Sequence, residues 1–415
     1  MSVPDMRTGE QITCTVETLA YGGDGLARVE GRVVFMPGTV TGETLRARVT
    51  AVKKNYARAE PLEILTPSPF RTEPCCRVPD PDSGKPCRVP GCVYDHLAYG
   101  FELQTKQLQL EGFLRRLPQA ADVIFVPPFA APAPLHYRNK IVLHTRRRSG
   151  ALRLGYRMEP SHAVLDVRAC PLACEPINAA LARLRDSGAF RRLPDDADVT
   201  FRYTEHDGAL WWVNGAAPEA PCPEALTETS AAGPLRVPRD GFFQVNPAVG
   251  DALVRTAAEW FAESPDATEL LDLYCGVGVF GFACLRAGGT RLTGIESGRA
   301  AVAAARANAA ALGLPAEFHC RALGQAPGTL DGLVPFPQRT TAIVDPPRDG
   351  LSPDIALALA GSGLRRILYV ACDPATLARD LACLQRGGYR IARARLFDMF
   401  PRTAHFESLV DLRLG

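Results

Sequence analysis

Nowhere in its 415 positions does the sequence carry a run of about 20 apolar residues, the length a bilayer-spanning helix needs. Membrane helices are therefore not expected. The opening stretch MSVPDMRTGE also lacks the apolar segment of a secretory leader. A cytoplasmic chain is expected, with its 13 cysteines held as thiols rather than as a disulfide framework. Charge of one sign is scarce too: 47 Lys and Arg against 45 Asp and Glu leave a net +2, which by itself names no polyanionic partner. One local absence says more. Between Tyr137 and Met158 there is no Asp or Glu, yet Arg138, Lys140, Arg146, Arg147, Arg148, Arg153 and Arg157 all fall there, interleaved with Tyr137, His144 and Tyr156. A solvated face is one reading of such a run, and phosphate contact combined with base stacking is the other.

Residues Gln11 to Leu65 alternate apolar and polar positions between the turns GGDG, EGR and PGTVTGE, which predicts a small antiparallel barrel. This stretch resembles the TRAM domain, an RNA-binding relative of the OB fold, with Arg46, Arg48, Lys53, Lys54 and Arg58 as its basic face. A Pro- and Cys-rich connector follows from Thr66 to Cys92. In YGFELQTKQLQLEGFLRRL the residues Leu103, Leu110, Phe113, Leu114 and Leu117 recur at helical spacing, as in a packing helix. The expected division is 1–66 for the barrel, 67–240 for a cysteine-containing central α+β domain, and 241–415 for the rest. The helix near 100–117 is expected to pack on that last part.

There the stretches TELLDLYCGVGVFG, RLTGIES, TTAIVDPPRDG and RRILYVACDP read as apolar strands, each followed by a turn and a helical stretch. Alternating strands and helices predict an α/β fold, a Rossmann-like doubly wound sheet with ligands at the carboxyl ends of its strands. Gly276, Gly278 and Gly281 satisfy GxGxxG, with Glu296 at the end of the next strand, where a ribose-binding carboxylate belongs. The glycines alone fit a dinucleotide site, an S-adenosylmethionine site or a bare tight turn. Asp272, inside the strand before them, favours the second. Asp345, in DPPR, exposes a carboxylate over the sheet's edge, where Arg348 stands in place of the aromatic residue that amine methyltransferases carry. A cysteine, Cys372, follows one strand later.

That cysteine, between an apolar strand and a helix amino terminus, is placed as a nucleophile. Uracil C5 reacts poorly with a methyl sulfonium until something adds to C6. A thiolate adds reversibly to the C5=C6 bond, and the resulting enolate makes C5 nucleophilic. After transfer, a base must remove the C5 proton, and Glu407 and His405 in RTAHFES are the candidates.

The ordered motifs GFFQVN, DLYCGVGVF, GIE, DPPRDG, YVACDPATLARD and RTAHFES resemble those of the RNA uracil-5-methyltransferases, which form 5-methyluridine in tRNA or 23S ribosomal RNA. The resemblance implies that Gln244, Tyr274, Glu296 and Asp345 contact S-adenosylmethionine, that Cys372 is the nucleophile and Glu407 the base, and that Phe242 lies near the target base. Val279 stands where the family usually has Asn, and Ala371 to Pro374 where it usually has Ser-Cys-Asn-Pro. Clustered cysteines in a reducing compartment suggest zinc or an iron–sulfur cluster. The ribosomal-RNA branch carries a [4Fe–4S] cluster, and the resemblance implies Cys76, Cys87, Cys92 and Cys170 as ligands here, with Cys75 as rival to Cys76. The first two intervals are longer than the family's. The expected partner is RNA, 23S ribosomal RNA ahead of tRNA, with no membrane and a monomeric chain. A dinucleotide-dependent oxidoreductase and a non-catalytic RNA-binding protein are the rival readings.

Overall fold

In the strand Gln11–Thr15 every second residue, Ile12 and Cys14, turns inward, the period that a half-buried strand imposes. The computed structural model describes residues 6–80, 84–148, 150–158, 162–216, 222–264, 266–324, 330 and 336–415. Its first body is a six-stranded sheet in the order Gln11–Thr15, Thr44–Val52, Tyr56–Thr66, Arg32–Met36, Gly25–Val29, Thr18–Leu19. Ala27, Val34, Met36, Leu45, Ala47 and Val49 fill its interior.

The second body is a five-stranded antiparallel sheet in the order Val164–Asp166, Ala151–Arg157, Lys140–Arg148, Asp198–Thr204, Gly208–Val213. One face carries Ile141, Leu143, Leu154 and Phe201. These pack with Ile177, Leu181 and Leu184 of the helix Glu175–Asp186.

The third is an eight-stranded sheet. Its strands run in the order Ala316–Cys320, Arg291–Glu296, Glu269–Leu273, Thr340–Val344, Arg366–Ala371, Glu407–Leu414, Tyr389–Phe397, Ile124–Phe129. The first five are parallel, as the strand–helix alternation predicts, and Glu407–Leu414 enters antiparallel between Arg366–Ala371 and Tyr389–Phe397. The strand Ile124–Phe129 comes from the chain before the central sheet. The hairpin of Ala225–Ser230 with Gly233–Pro238 packs Leu235 and Val237 into the same core as the helix Pro247–Ala262.

The helix Tyr99–Leu114 puts Leu110 and Leu114 into the core that Ile391 and Leu412 of that sheet also enter. It also buries charge that its apolar spacing conceals. Lys106 Nζ donates to Glu102 Oε1 at 2.7 Å, to Asp398 Oδ1 at 2.7 Å and to the Phe400 carbonyl at 3.1 Å. The Tyr99 hydroxyl donates to Asp398 Oδ2 at 2.8 Å, and the Arg402 amide donates to Glu102 Oε1 at 2.7 Å. An ammonium removed from water must find such partners. The segment 398–402, which leads into His405 and Glu407, is thereby fastened to a helix some 300 residues earlier.

A candidate active site at the carboxyl ends of the strands

The strand Glu269–Leu273 ends in Tyr274, at φ 62°, followed by Gly276 at φ 54° and Gly278 at φ 94°. A Cβ on Gly278 would meet the Phe282 ring at 2.6 Å, and one on Gly281 would meet Leu292 at 2.6 Å. Gly278, at positive φ, therefore requires glycine, whereas a side chain at position 281 would have to displace the Leu292 methyls. Gly276 differs: a Cβ there would meet nothing within 4 Å, because the loop opens onto a cleft. Asp272 Oδ2 accepts from the Gly281 amide at 3.1 Å, and burial pushes that carboxyl up to about 8. Glu296, at the end of the next strand, accepts from the Gly276 amide at 3.2 Å and from the Gly298 amide at 2.7 Å. It ties the two loops together across the cleft floor.

The cleft has a volume of about 1200 Å³. Gln244, Tyr274, Glu296, Asp345, Cys372 and Glu407 all line it, so the structure brings together every residue that the sequence reading assigned to cofactor and catalysis. Arg348 and Phe400 line it as well, and so does Phe242, whose side chain is 74% exposed. Val279 lies in an adjoining apolar recess with Phe243 and Phe280. The DPPR and DMFP stretches carry Arg348 and Phe400, but nothing in them says that these residues line one cleft with the thiol.

Strand register fixes the surroundings of Cys372 and Glu407. Ala371 pairs with Ser408 in antiparallel strands, and Ser408 Oγ donates to the Ala371 carbonyl at 3.1 Å. The pairing with Arg366–Ala371 ends there, and Cys372, the residue after Ala371, and Glu407, the residue before Ser408, both line the cleft. Burial pushes the Cys372 thiol up to about 12, the Glu407 carboxylate adds to the rise, and the Arg348 guanidinium opposes it. Burial also holds Glu407 well above the usual carboxylate range, again opposed by Arg348, and lifts Asp345 to about 7. Arg348 is thus a cation shared by the thiol and the carboxyl. His405, the alternative base, is pushed down to about 4 by burial and by Arg348, so it is neutral near pH 7. Its Nδ1 is buried without a hydrogen-bond partner, and it does not line the cleft.

After Cys372 comes Asp373, the cap of the helix Pro374–Arg386. Its Oδ1 accepts from the amides of Ala375 at 2.9 Å and Thr376 at 3.0 Å, which fixes the helix terminus beside the thiol. Tyr21, from the N-terminal sheet, reaches the same carboxylate. Its ring meets Phe406 edge-on at 6.1 Å.

The four-thiolate set expected of Cys76, Cys87, Cys92 and Cys170 is not formed. Among the described residues, no three His, Cys, Asp or Glu side chains gather closely enough to hold a metal ion. Cys76, Cys92 and Cys170 do enter one core, with Cys75 and Cys87 at its margin, but their sulfurs are engaged otherwise. Cys75 and Cys76 contact each other at 3.8 Å, and Cys170 Sγ accepts from the Tyr156 hydroxyl at 3.2 Å. Cys87 sits on the short strand Pro86–Arg88, its Sγ directed to the Arg88 carbonyl at 3.7 Å. Cys76 is also within reach of Cys92, but four convergent thiolates, as a cluster needs, are not brought together among the described residues.

A family model described as tRNA (uracil-5-)-methyltransferase matches residues 335–414, and one for the TRAM domain matches residues 6–62. The 23S rRNA (uracil(1939)-C(5))-methyltransferase RlmD of Pseudomonas aeruginosa is 30% identical, over 99% of this chain and 96% of its own. The enzyme of the same name from Acidithiobacillus ferrooxidans is 32% identical over 95% of each. An uncharacterized RNA methyltransferase of Thermosynechococcus vestitus is 31% identical over 97% of this chain and 98% of its own. Among solved structures, the Pyrococcus abyssi tRNA (uracil-54, C5)-methyltransferase in complex with S-adenosyl-L-homocysteine superposes with a TM-score of 0.72. It is 22% identical and covers 96% of this chain and 99% of its own, so it speaks for the fold. With motifs, cleft and full-length relatives in agreement, the chain belongs to the RNA uracil-C5-methyltransferase family, an enzyme with a Rossmann-like catalytic sheet and an N-terminal TRAM domain.

Proposed function

We propose that the chain, a cytoplasmic monomer, methylates C5 of a uridine in 23S ribosomal RNA through a covalent bond between Cys372 and C6. The observation that carries this reading is that Cys372, Glu407 and Arg348 line one cleft, near enough for the carboxyl and the guanidinium to act on the thiol. The ribosomal target rests on relatives of that name matched over nearly their whole length.

The residues present fit S-adenosylmethionine: a glycine floor open to the cleft at Gly276, and Glu296, Gln244, Tyr274 and Asp345 around it. When bound, the cofactor supplies an electrophilic methyl group. The chain's own residues do the rest. Phe242 offers an exposed ring on which a base extruded from folded RNA can stack. The Cys372 thiolate forms a bond to C6, and the C5=C6 electron pair moves toward the O4 carbonyl, leaving an enolate nucleophilic at C5. Arg348 stabilises the thiolate before addition. Once C5 carries both hydrogen and methyl, Glu407 takes the proton. The pair re-forms C5=C6 and the sulfur leaves as thiolate. A carboxylate whose pKa is raised by burial is the stronger base for that step.

The test is transfer of labelled methyl groups to RNA from a strain lacking the gene, followed by mass mapping of the product. 5-Methyluridine in 23S ribosomal RNA is the expected result. Label confined to tRNA assigns the enzyme to that substrate instead, and no transfer to RNA overturns the reading.

A further inference from the structure

The run of arginines between Arg138 and Arg157 is not one surface. Strand geometry divides it, because successive side chains point to opposite faces. In Lys140–Arg148 the odd positions Ile141, Leu143 and Thr145 are buried, toward the helix-covered side. The even positions Lys140, Val142, His144, Arg146 and Arg148 share the other face. Arg153 lies directly across from Arg146 and so shares that face, as does Arg157 four residues on. Arg138 is turned inward instead, its guanidinium 6.0 Å from the Phe400 ring. Arg147 donates to the carbonyls of Arg191 and Leu193 at 3.1 Å each.

The open face starts at the active cleft. Lys140 Nζ lies 3.5 Å from the carbonyl of Gly241, the residue before the exposed Phe242. Asp240 lines both the active cleft and a depression of about 260 Å³ that also takes in Lys140, Val142 and Asn214. Beyond His144, which is paired with Asp198 at 2.5 Å, the same face widens into a second cleft of about 490 Å³. Arg146, Arg148, Arg153 and Arg157 line that second cleft, with Asp196 among them, and Arg147 borders it too although its guanidinium is held by the Arg191 and Leu193 carbonyls. Arg146 and Arg157 reach Asp196 at 3.5 and 3.4 Å, and these exposed pairs are too weak to hold the guanidinium groups against phosphate. From Lys140 to Arg148 the strand spans roughly 27 Å at its ordinary rise.

We infer that this face is a second, extended RNA site, on which the backbone of the strand flanking the target uridine runs from Phe242 along Lys140 to a phosphate cradle formed by Arg146, Arg148, Arg153 and Arg157. The inference rests on the RNA-methyltransferase reading and adds to it the course of the substrate away from the reacting base. Continuity with the active cleft argues for the same molecule in both. Excess positive charge at the far end argues for phosphate rather than bases there.

The experiment compares wild type with R146A/R148A/R153A/R157A on two probes, 23S ribosomal RNA and a single-stranded pentanucleotide centred on uridine. For the long RNA, the slope of log affinity against log salt flattens by about 3 in the variant, while affinity for the pentanucleotide changes by less than about twofold. An unchanged slope for 23S ribosomal RNA overturns the inference, and so does an equal loss on both probes. If the variant does not fold, phenylglyoxal modification of the wild type decides. Bound 23S ribosomal RNA shields these four arginines from the reagent, and equal labelling with and without RNA overturns the site. Wild-type protein that shows this shielding but transfers no methyl group to RNA contradicts the enzymatic reading while upholding the RNA path.

Discussion

The hydroxyl of Tyr21 donates a hydrogen bond of 3.2 Å to the Asp373 carboxylate, joining the N-terminal TRAM domain to the residue that follows Cys372. The bond spans 352 positions of sequence. Because Asp373 also caps the helix Pro374–Arg386, movement of Tyr21 is felt at the helix terminus beside the thiol.

Removing that bond with Tyr21→Phe leaves the ring packed against Phe113 and Phe406 and withdraws about 1 kcal/mol. The expected outcome is a several-fold fall in kcat with cofactor affinity unchanged, read by single-turnover methyl transfer and calorimetry. An unaltered kcat would show that the contact does not reach the reaction.

The division of labour between Cys372 and Glu407 is visible in where each variant stops. Cys372→Ala should bind RNA and cofactor but form no covalent complex and transfer no methyl group. Glu407→Gln keeps the thiol, so addition and transfer proceed and elimination stalls. A methylated RNA–protein adduct that survives denaturing electrophoresis is its signature. Normal turnover by Glu407→Gln would remove Glu407 from the role of base.

Glu296 is asked to hold both a ribose and the two loops it already bridges. Its replacement by Ala should weaken cofactor binding by about a hundredfold, the worth of two charge-assisted hydrogen bonds at roughly 3 kcal/mol together. Glu296→Gln, which keeps one acceptor oxygen, should fall between. Calorimetry showing equal affinities for all three proteins would place the ribose elsewhere.

Reactivity of the free thiol should climb with pH. Since Cys372 is pushed up to about 12, its thiolate fraction grows about tenfold per unit below that value. Iodoacetamide labelling of the Cys372 peptide, followed by mass spectrometry, should therefore rise log-linearly from pH 6 to pH 9. Arg348→Ala, which removes a cation that lowers the pKa, should slow labelling at every pH. A midpoint near pH 7 would contradict the buried-thiol picture.

Asp272 should make stability fall with pH. Its folded-state pKa of about 8 lies above the ordinary value of about 4, so its contribution is complete below pH 4 and is lost as pH rises through 8. Asp272→Asn cannot ionise. Its advantage over wild type in urea unfolding should grow between pH 5 and pH 8, by on the order of 1 kcal/mol per pH unit. A difference that does not vary with pH would mean that Asp272 is already charged at pH 5.

The residues at strand ends were legible because two short-range signals coincide there. Apolar runs mark the strands, and the glycines, prolines and carboxylates after them mark the loops on which ligands gather. Gln244, Glu296, Asp345 and Cys372 were found in that way or by the motifs around them. Lys106 was not. The buried face of its helix is Glu102, Thr105, Lys106, Leu110 and Leu114, and Glu102 and Lys106, four residues apart, look like an ordinary surface pair until Asp398 arrives from elsewhere. Tyr21 and Arg348 were hidden for the same reason, since their partners are set by tertiary approach. The cysteines were legible only in part. Their clustering placed Cys76, Cys92 and Cys170 in one core, but sequence spacing does not say how closely sulfurs approach.

The strand Glu407–Leu414 is the last of its sheet to be synthesised, yet it lies between Arg366–Ala371 and Tyr389–Phe397 and begins with Glu407, the proposed base. A nascent chain halted before it would leave two hydrophobic strands without the partner that joins them. Cys372 also precedes Glu407 in the chain, so on the proposed mechanism a chain halted between them would carry the nucleophile without the base.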